Sequence, residues 1–579
     1  MEQFNALSIR KPQLMTKKVL FILTLSLLAG AAQAQTTYIP LNYVEYAILD
    51  RLETRSGDLS DELFLTTKPV MRKSAVNFLS EVSKSATPGQ LSKIDRYNIS
   101  RSISKSGEWA EERNGAINSK ISWFKTFYKK QPDFVHVNED NFFLVLNPVL
   151  SYQHAYEQNN NENLFWSGRG LEARGIIADK VGFYTYITDN QERGPSFVSD
   201  WMAKRGAVPG ADFYQTPGNN TLVDYMQARG YIDFAAIRDH VNVTFGYDKH
   251  FIGDGMRSLF LSDFSAGAAF LRLTTKVWKL NYQNLYMELT PQYRRGGGDR
   301  RLPRKYATVH HLSVNATRWL NIGVFESVMF ARRDRYEFGY LNPIILYRQV
   351  ERYMGSPDNV NLGLNAKIII AKHVQLYGQV LLDEFKAKEL FSDRGWWANK
   401  YGLQAGLKYF DAFTLKNLDI QGEINVVRPY TYSHYDSVAT YTNYNQPLAH
   451  PLGAGFAEAI GIIRYQPAKN LFIMLKGSYY RQGQDSTGSV NPTNFGSNIF
   501  MDYDSRSDEF GVGLINGIPA NCITLEGLVS YELRPNLFID LGATNRRFTY
   551  DNNYLPQQTS TYFYGGLRLN IARRDYNFY

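Results

Sequence analysis

Arginines concentrated in two predicted loops are the residues best suited to binding a charged ligand. The first loop contains a dense group around three consecutive glycines, formed by Arg294, Arg295, Arg300 and Arg301. The next long loop contains a second group: Arg332, Arg333, Arg335, Arg348 and Arg352. Because a guanidinium presents its N–H donors in a planar fork, it pairs well with carboxylates, sulfates and phosphates. These loops are therefore predicted to bind acidic polysaccharide or the anionic groups of lipopolysaccharide.

Aromatic residues in other predicted loops offer flat faces on which sugar rings can stack. Trp396 and Trp397 are adjacent, and a later loop contains five tyrosines: Tyr430, Tyr432, Tyr435, Tyr441 and Tyr444. Such side chains provide a large contact area with few rotatable bonds. The alternative interpretation is a solvated surface, rich in arginine and tyrosine, that faces anionic lipopolysaccharide. Residue types alone leave both interpretations open.

The motifs of enzymatic and cofactor chemistry are absent from the sequence. It contains no nucleophile elbow, no His-Glu-x-x-His motif and no Cys/His spacing typical of a metal site. His310 and His311 are adjacent in a predicted strand, so they point to opposite faces and cannot chelate one ion together. Gly253-Asp254-Gly255 resembles a phosphate-binding turn, but it lacks the strand–turn–helix context that such a turn requires. The prediction is a protein without catalytic activity, cofactor or metal.

The elements that position these residues are strands, because apolar and polar residues alternate beyond about residue 141. In 360–370 apolar residues occupy every second position, with Asn361, Gly363, Asn365 and Lys367 between them. The same alternation occurs in 419–427, 537–546 and 563–571. A period of two places one kind of residue on each face of a sheet. The charged face is predicted to line a polar lumen, with pairing between neighbouring strands: Lys367, Asp419, Glu423, Asp540, Arg546 and Arg568.

The connections between the strands favour a transmembrane barrel over a soluble sandwich, which would also alternate. Tight turns are predicted near 179–180, 276–277, 318–319, 372–373, 468–469 and 534–535. Long polar loops are predicted over 191–227, 249–265, 292–304, 333–358, 386–398, 431–454 and 484–520. Short turns on one rim and long loops on the other are typical of outer-membrane barrels. The prediction is a transmembrane antiparallel β-barrel of about 18 strands over 139–579, with a bulge or early strand end at Pro148.

A small α-helical periplasmic domain is predicted ahead of the barrel, over 35–138. Val44, Ala47, Ile48 and Leu52 follow the spacing of one helix face, and a second apolar stripe runs through 71–82. A helical bundle of this size has a marginal core, so we expect it to dock on the barrel and close or steady its periplasmic end.

The beginning of the sequence resembles a secretory signal peptide over 1–34. Lys17 and Lys18 precede an apolar run over 19–28, and small residues follow up to a cleavage site after Ala34. The chain has one cysteine, Cys522, which cannot form a disulfide within the chain. The net charge of +9 is modest for 579 residues and gives no reason to expect nucleic acid as a partner.

Three segments resemble the Wzi capsule-assembly family, including its Bacteroidetes relatives known as RemB-like gliding-motility proteins. The segments are Gly253–Asp263 (GDGMRSLFLSD), Tyr340-Leu341-Asn342-Pro343 together with 358–364, and Gln446–Gly453 followed by Glu458. The resemblance implies an outer-membrane barrel of about eighteen strands with a helical cap. It also implies binding of surface polysaccharide and a role in capsule attachment, without catalysis. Candidate binding residues in these segments are Arg257, Tyr340, Asn342, His450 and Glu458.

The predicted function is therefore binding of capsular or other surface polysaccharide by a non-enzymatic barrel in the outer membrane. Its other expected partners are membrane lipid and lipopolysaccharide, and the helical domain is a candidate contact for other envelope proteins. Three alternatives stay open from the sequence. They are a porin-like channel, an accessory protein of gliding motility or secretion, and a barrel enzyme with a catalytic cluster at the mouth of its lumen.

Overall fold

The computed structural model describes most of the chain from residue 36 onward. The described ranges are 36–110, 127–217, 221–293, 301–332, 335–344, 346–384, 386–390, 392, 394–486 and 493–576. The predicted signal peptide lies outside the described residues. So do Arg294, Arg295 and Arg300 of the first arginine group, Arg333 of the second, and the last three residues of the chain.

Eighteen antiparallel strands form one closed barrel, which confirms the predicted fold class. The last strand pairs with the first from Tyr562↔Glu157 to Leu569↔Leu150, so this ring of strands has no free edge. Closure matters because every backbone N–H and C=O of a sheet finds a partner only when the sheet has no edge. The strands are β1 Phe142–Glu157, β2 Leu164–Ile177, β3 Val181–Arg193, β4 Val223–Ile237, β5 Val241–Asp248, β6 Ala268–Val277, β7 Leu280–Leu289, β8 Lys305–Asn315, β9 Leu320–Phe330, β10 Asn359–Ile370, β11 Val374–Glu384, β12 Lys400–Phe410, β13 Leu418–Val427, β14 Phe456–Ala468, β15 Leu471–Gln484, β16 Ile518–Arg534, β17 Leu537–Tyr550 and β18 Gln558–Leu569.

The two faces of the wall differ as the alternation predicts. Outward side chains such as Leu364, Ile424, Leu541 and Phe563 are each more than half exposed. The charged residues predicted to line the lumen, such as Lys367 and Asp540, point inward, and Arg568 pairs with Asp540 on the neighbouring strand (Nε to Oδ2, 2.6 Å). A wall that is apolar outside and polar inside is the reverse of a soluble core and is typical of transmembrane barrels.

The two rims also differ, and we name them by their connections. At the turn end the strands are joined by short links such as 178–180, 278–279 and 535–536, with left-handed residues such as Asp179 (φ 51°) and Asn536 (φ 68°). At the loop end the connections are longer: 194–222, 249–267, 290–304, 331–358, 385–399, 428–455 and 485–517. The prediction of tight turns at one rim and long loops at the other is confirmed, with boundaries shifted by one to a few residues.

Pro148 neither ends β1 nor creates a bulge, so that prediction is wrong. A short strand, Val135–Glu139, pairs with β1 up to Leu146, and β18 pairs with the same edge from Leu150. Pro148 lies between these two partners, where β1 needs no N–H donor on that edge. The Val135–Glu139 strand also means that the sheet begins slightly before residue 139.

Within the described residues, three α-helices belong to the N-terminal domain: α1 Val44–Ser56, α2 Arg72–Ser85 and α3 Lys93–Ser104. Leu49, Leu52, Phe78, Leu79 and Ile99 are buried between them. A capping box begins α3, in which Ser92 accepts from the N–H of Asp95 and Asp95 accepts from the N–H of Ser92. In the described ranges, no helix has both the length and the apolar character needed to cross a membrane.

Candidate functional site

The helical domain lies across the turn end and binds the inner wall through buried ion pairs. Arg51 of α1 contacts Asp411 and Asp419 of the barrel, each at 2.5 Å, and Asp95 of α3 at 2.9 Å. Arg101 of α3 reaches Glu532 near the end of β16, with Nη2 2.6 Å from Oε1. Breaking such a pair would leave a buried charge without compensation, which costs about 3–5 kcal/mol. We call this domain the plug.

Glu45 is a buried carboxylate of the plug that stays ionised because two cations lie beside it. Glu45 lies 2.6 Å from Lys105 and 3.2 Å from Arg101. Burial alone would raise the pKa of Glu45, but the attraction of Lys105 and Arg101 outweighs it and lowers the pKa to about 2. Lys367 on β10 makes a similar link, since its Nζ lies 2.8 Å from Glu53 of α1. The plug is therefore held to the wall electrostatically at neutral pH.

A loop from the opposite end enters the lumen and meets the plug. The β5–β6 connection, 249–267, contributes a two-residue strand, Phe251–Ile252, that pairs with Thr67–Lys68 of the plug. Its next residues contact the wall, where the N–H groups of Met256 and Arg257 donate to Glu423 at 2.7 and 3.0 Å. We call 249–267 the inserted loop. It contains the first of the three segments that resemble the Wzi family.

Three candidate binding residues meet beneath the mouth and join the inserted loop to the β13–β14 connection. Arg257 lies 3.3 Å from Glu458 on β14, and Nε2 of His450 lies 2.7 Å from the same carboxylate. Burial lowers the pKa of His450 despite the nearby Glu458. Its Nδ1 accepts from the N–H of Leu452, so the neutral ring donates from Nε2. His450 and Glu458 are almost fully buried, so this group fastens loops together and offers no open surface to a polymer.

Two of the tyrosines proposed to stack on sugars also hold the inserted loop. The hydroxyls of Tyr432 and Tyr441 donate to the carbonyls of Leu259 and Phe260, both at 2.8 Å. Their rings stack on each other with centroids 5.7 Å apart. Together with the plug, the inserted loop fills much of the lumen and leaves a cavity of about 590 Å³.

An aromatic and charged surface lies at the loop end, built from three connections. Trp397 is buried against Tyr430 and Tyr503, with centroids 5.8 and 5.0 Å away. The guanidinium of Arg506 lies 4.4 Å from the centre of the Trp397 ring. We call Trp396, Trp397, Tyr503, Arg506 and Glu509 the loop-end cluster.

Trp396 is the more exposed of the two tryptophans in the loop-end cluster, and the ammonium of Lys386 lies 4.4 Å from the centre of its ring. It is half-buried, and its Nε1 donates to Oε1 of Glu509 at 3.3 Å. Glu509 also receives Nη2 of Arg506 at 2.7 Å, and this hydrogen bond lowers the pKa of Glu509. An aromatic face flanked by a carboxylate and a guanidinium can stack on a sugar ring and hydrogen-bond its hydroxyls. Nearby, Tyr435 and Phe510 are each nearly half exposed.

The remaining candidates lie elsewhere. Arg301 is exposed on the β7–β8 connection. Tyr340 and Asn342 belong to the β9–β10 connection, where the Tyr340 hydroxyl donates to Asp358 and Asn342 accepts from the N–H of Ile344. The structure therefore groups Arg257 with His450 and Glu458, groups Trp396 with Trp397, and separates Tyr340 and Asn342 from both groups.

The described residues also bear on the metal prediction. Among them, no group of three or more His, Cys, Asp or Glu residues could hold a metal ion. His311 points into the barrel and contacts Asn365 (Nε2 to Oδ1, 2.9 Å), whereas His310 stacks on Tyr347 outside. The two rings occupy opposite faces, as the alternation predicts.

Sequence reasoning missed Tyr503, Arg506 and Glu509. They lie more than a hundred residues from Trp396 in the chain, in a connection without a recognisable motif. The one available signal was the mixture of aromatic and charged residues in 503–510.

Comparisons with known proteins support the fold. No family model matches the sequence, and no curated protein matches it. Among solved structures, Escherichia coli Wzi, described as a carbohydrate-binding β-barrel involved in group 1 capsule assembly, aligns with a TM-score of 0.54 at 10% identity, covering 94% of this chain and 100% of Wzi. Pseudomonas aeruginosa OprD aligns with a TM-score of 0.41 at 11% identity, covering 73% of this chain and 94% of OprD. At 10% identity the likeness to Wzi shows the barrel fold alone.

Proposed function

We propose that this protein is a non-enzymatic outer-membrane barrel that binds surface polysaccharide at its loop end and supports capsule assembly or attachment. The loop-end cluster carries the proposal, because the half-buried Trp396 lies beside Trp397, Arg506 and Glu509 above a lumen that is largely filled. The described carbohydrate binding of Wzi supports the same function.

The apolar outer surface of the barrel is the observation that supports its placement in the outer membrane. A closed barrel whose outward side chains are apolar needs a lipid environment, since water would face a continuous apolar belt. The long loops would then face the outside of the cell, and the plug would lie on the periplasmic side.

The filled lumen favours binding over conduction. The plug closes the turn end through buried ion pairs, and the inserted loop meets it from the loop end. A porin-like channel would need both elements to move. In a planar bilayer, we expect no steady conductance from the wild-type protein.

The capsule role is tested in a strain that lacks the chromosomal copy and carries either the wild-type gene or a variant. Trp396→Ala removes the partly exposed aromatic ring, so we expect more polysaccharide in the medium and less on the cells. Trp278→Ala is the matched control, because Trp278 is an exposed tryptophan at the turn end. Equal retention by the wild type and Trp396→Ala, at equal amounts of protein in the outer membrane, would contradict the proposal.

A further inference from the structure

A row of polar side chains crosses the outer face of three strands, where the alternation requires apolar residues. Asn284 on β7 pairs with His310 on β8, and His310 pairs with Glu326 on β9. Their chain neighbours Leu285 and Phe325 point inward and are buried in the main core, so the row faces outward. Glu326 is the seventh of the 11 residues of β9, about midway between the rims. The row therefore lies at the level of the apolar belt.

The β9–β10 connection folds down over this row instead of extending from the rim. Its helix α4, Tyr347–Tyr353, begins at the row, where Glu326 accepts from the N–H groups of Tyr347 and Arg348, both at 2.9 Å. The Tyr347 ring stacks on His310 with centroids 3.8 Å apart. Further towards the turn end, the Tyr282 hydroxyl donates to the carbonyl of Pro343 at 2.6 Å. These contacts bury Asn284, His310 and Glu326 beneath 335–358.

The other side of the same segment is apolar and exposed. The exposed fractions of Phe338, Ile344, Leu346 and Tyr353 are 85%, 86%, 67% and 76%. Beside the segment, the wall presents Val324, which is also outward and exposed. The outer surface of the segment thus continues the apolar surface of the barrel.

We infer that residues 335–358 form a brace that is embedded in the membrane and contacts the acyl chains of the bilayer. This inference rests on the proposed outer-membrane location. Two observations identify the acyl chains as the partner of the segment. The segment covers the polar row midway along the wall, and its free side is continuous with the lipid-facing belt. Arg335, Arg348 and Arg352 of the second arginine group therefore belong to the lipid side of the barrel and not to its mouth.

The charges of the brace are compatible with this location. Arg348 pairs with Glu351 one helical turn later (2.9 Å), in the direction of the loop end. Arg332 pairs with Asp358 (2.6 Å) at the base of the connection, next to the rim. Long arginine side chains can keep their charged ends near the interface while their methylene groups lie along apolar surface.

Site-directed spin labelling tests the inference in the intact protein. Cys522→Ala removes the native thiol, and single cysteines are then introduced as Ile344→Cys, Leu541→Cys and Asp508→Cys. Leu541 lies on the outer wall and Asp508 on the exposed loop end, so they serve as lipid and water references. Each variant is labelled with a nitroxide and reconstituted in phospholipid vesicles. Relaxation by oxygen, which concentrates in lipid, is compared with relaxation by a water-soluble nickel chelate.

We expect Ile344→Cys to give the same oxygen-dominated ratio as Leu541→Cys, and Asp508→Cys to give a nickel-dominated ratio. A nickel-dominated ratio at Ile344→Cys, with Leu541→Cys still oxygen-dominated, would overturn the brace and leave the membrane location intact. Protection of Ile344→Cys from both reagents would also overturn it, since a protein would then cover the segment. A nickel-dominated ratio at Leu541→Cys would instead contradict the membrane location itself.

Discussion

At the turn end, Arg51 and Arg101 of the plug are buried between carboxylates, whereas at the loop end Trp396 and Arg506 lie among partly exposed aromatic rings. The first arrangement leaves no surface for a ligand, and its energy depends on keeping every charge paired. The second leaves the ring of Trp396 partly exposed beside hydrogen-bonding groups. Under the proposed function, one end of the barrel serves closure and the other serves recognition of polysaccharide.

The largest expected effect follows from removing Arg51. Arg51→Ala leaves Asp95, Asp411 and Asp419 buried without their shared cation, so we expect undocking of the plug to become easier by about 3–5 kcal/mol. Native-state hydrogen exchange of the α1 backbone measures this free energy.

The matched control for Arg51→Ala is Arg169→Ala. Arg169 forms a comparable ion pair with Asp189 at 3.0 Å, but both side chains are largely exposed. We expect exchange of the plug in this variant to stay within about 1 kcal/mol of the wild type. Equal effects of the two substitutions would show that burial of the plug pairs has no energetic importance.

Acid should loosen the plug by protonating Glu45. The pKa of Glu45 is lowered to about 2 from an ordinary value of 4.5, so its stabilising charge is complete above pH 4.5 and is lost as the pH falls towards 2. This difference corresponds to about 3 kcal/mol at neutral pH. The free energy of protection of α1 and α3, obtained from hydrogen exchange corrected for the intrinsic pH dependence of amide exchange, should fall by less between pH 6 and pH 2 in Glu45→Gln than in the wild type. The same fall in both proteins would contradict the role of Glu45.

Trp396→Ala should weaken polysaccharide binding with little change in the fold. Loss of one stacking face at a binding surface costs on the order of 1–2 kcal/mol, about a tenfold change in affinity. Calorimetry with purified surface polysaccharide of the host cell measures the affinity, and hydrogen exchange of α1 should be unaltered. If exchange of α1 changes as well, the two ends are not independent.

The smallest effect is expected from Glu509→Gln. The amide oxygen can still accept from Trp396, and the lost charge pair with Arg506 is exposed, so affinity should change by less than about 1 kcal/mol. The same calorimetric titration measures it. A loss of affinity as large as that of Trp396→Ala would show that the charge of Glu509 contributes as much to binding as the ring of Trp396.

Local patterns were sufficient to predict the barrel. The alternation in 360–370 and 537–546 is a property of single strands, and turn positions such as 372–373 follow from where it breaks. The plug contacts could not be predicted in this way, because Arg51 and Asp411 are separated by 360 residues. The loop-end cluster could not be predicted for the same reason, since Trp397 and Arg506 belong to different connections.

The position of the β9–β10 connection had a local signal in the sequence, namely polar residues on the outward face of β7, β8 and β9. Asn284, His310 and Glu326 are polar residues at outward positions of strands, which contradicts the alternation of a lipid-facing wall. Such positions need a cover, and 335–358 supplies it. Tyr340 and Asn342 were candidate binding residues because their segment resembles the Wzi family, and the structure instead places their connection against the outer wall.

Hydrogen exchange with and without the purified surface polysaccharide of the host cell tests the division between the two ends most directly. We expect slower exchange in backbone segments 394–399 and 500–512, which contain the loop-end cluster, and unchanged exchange in α1 and α3 of the plug. Slower exchange confined to the plug, or no change at either end at saturating polysaccharide, would contradict recognition by the loop end.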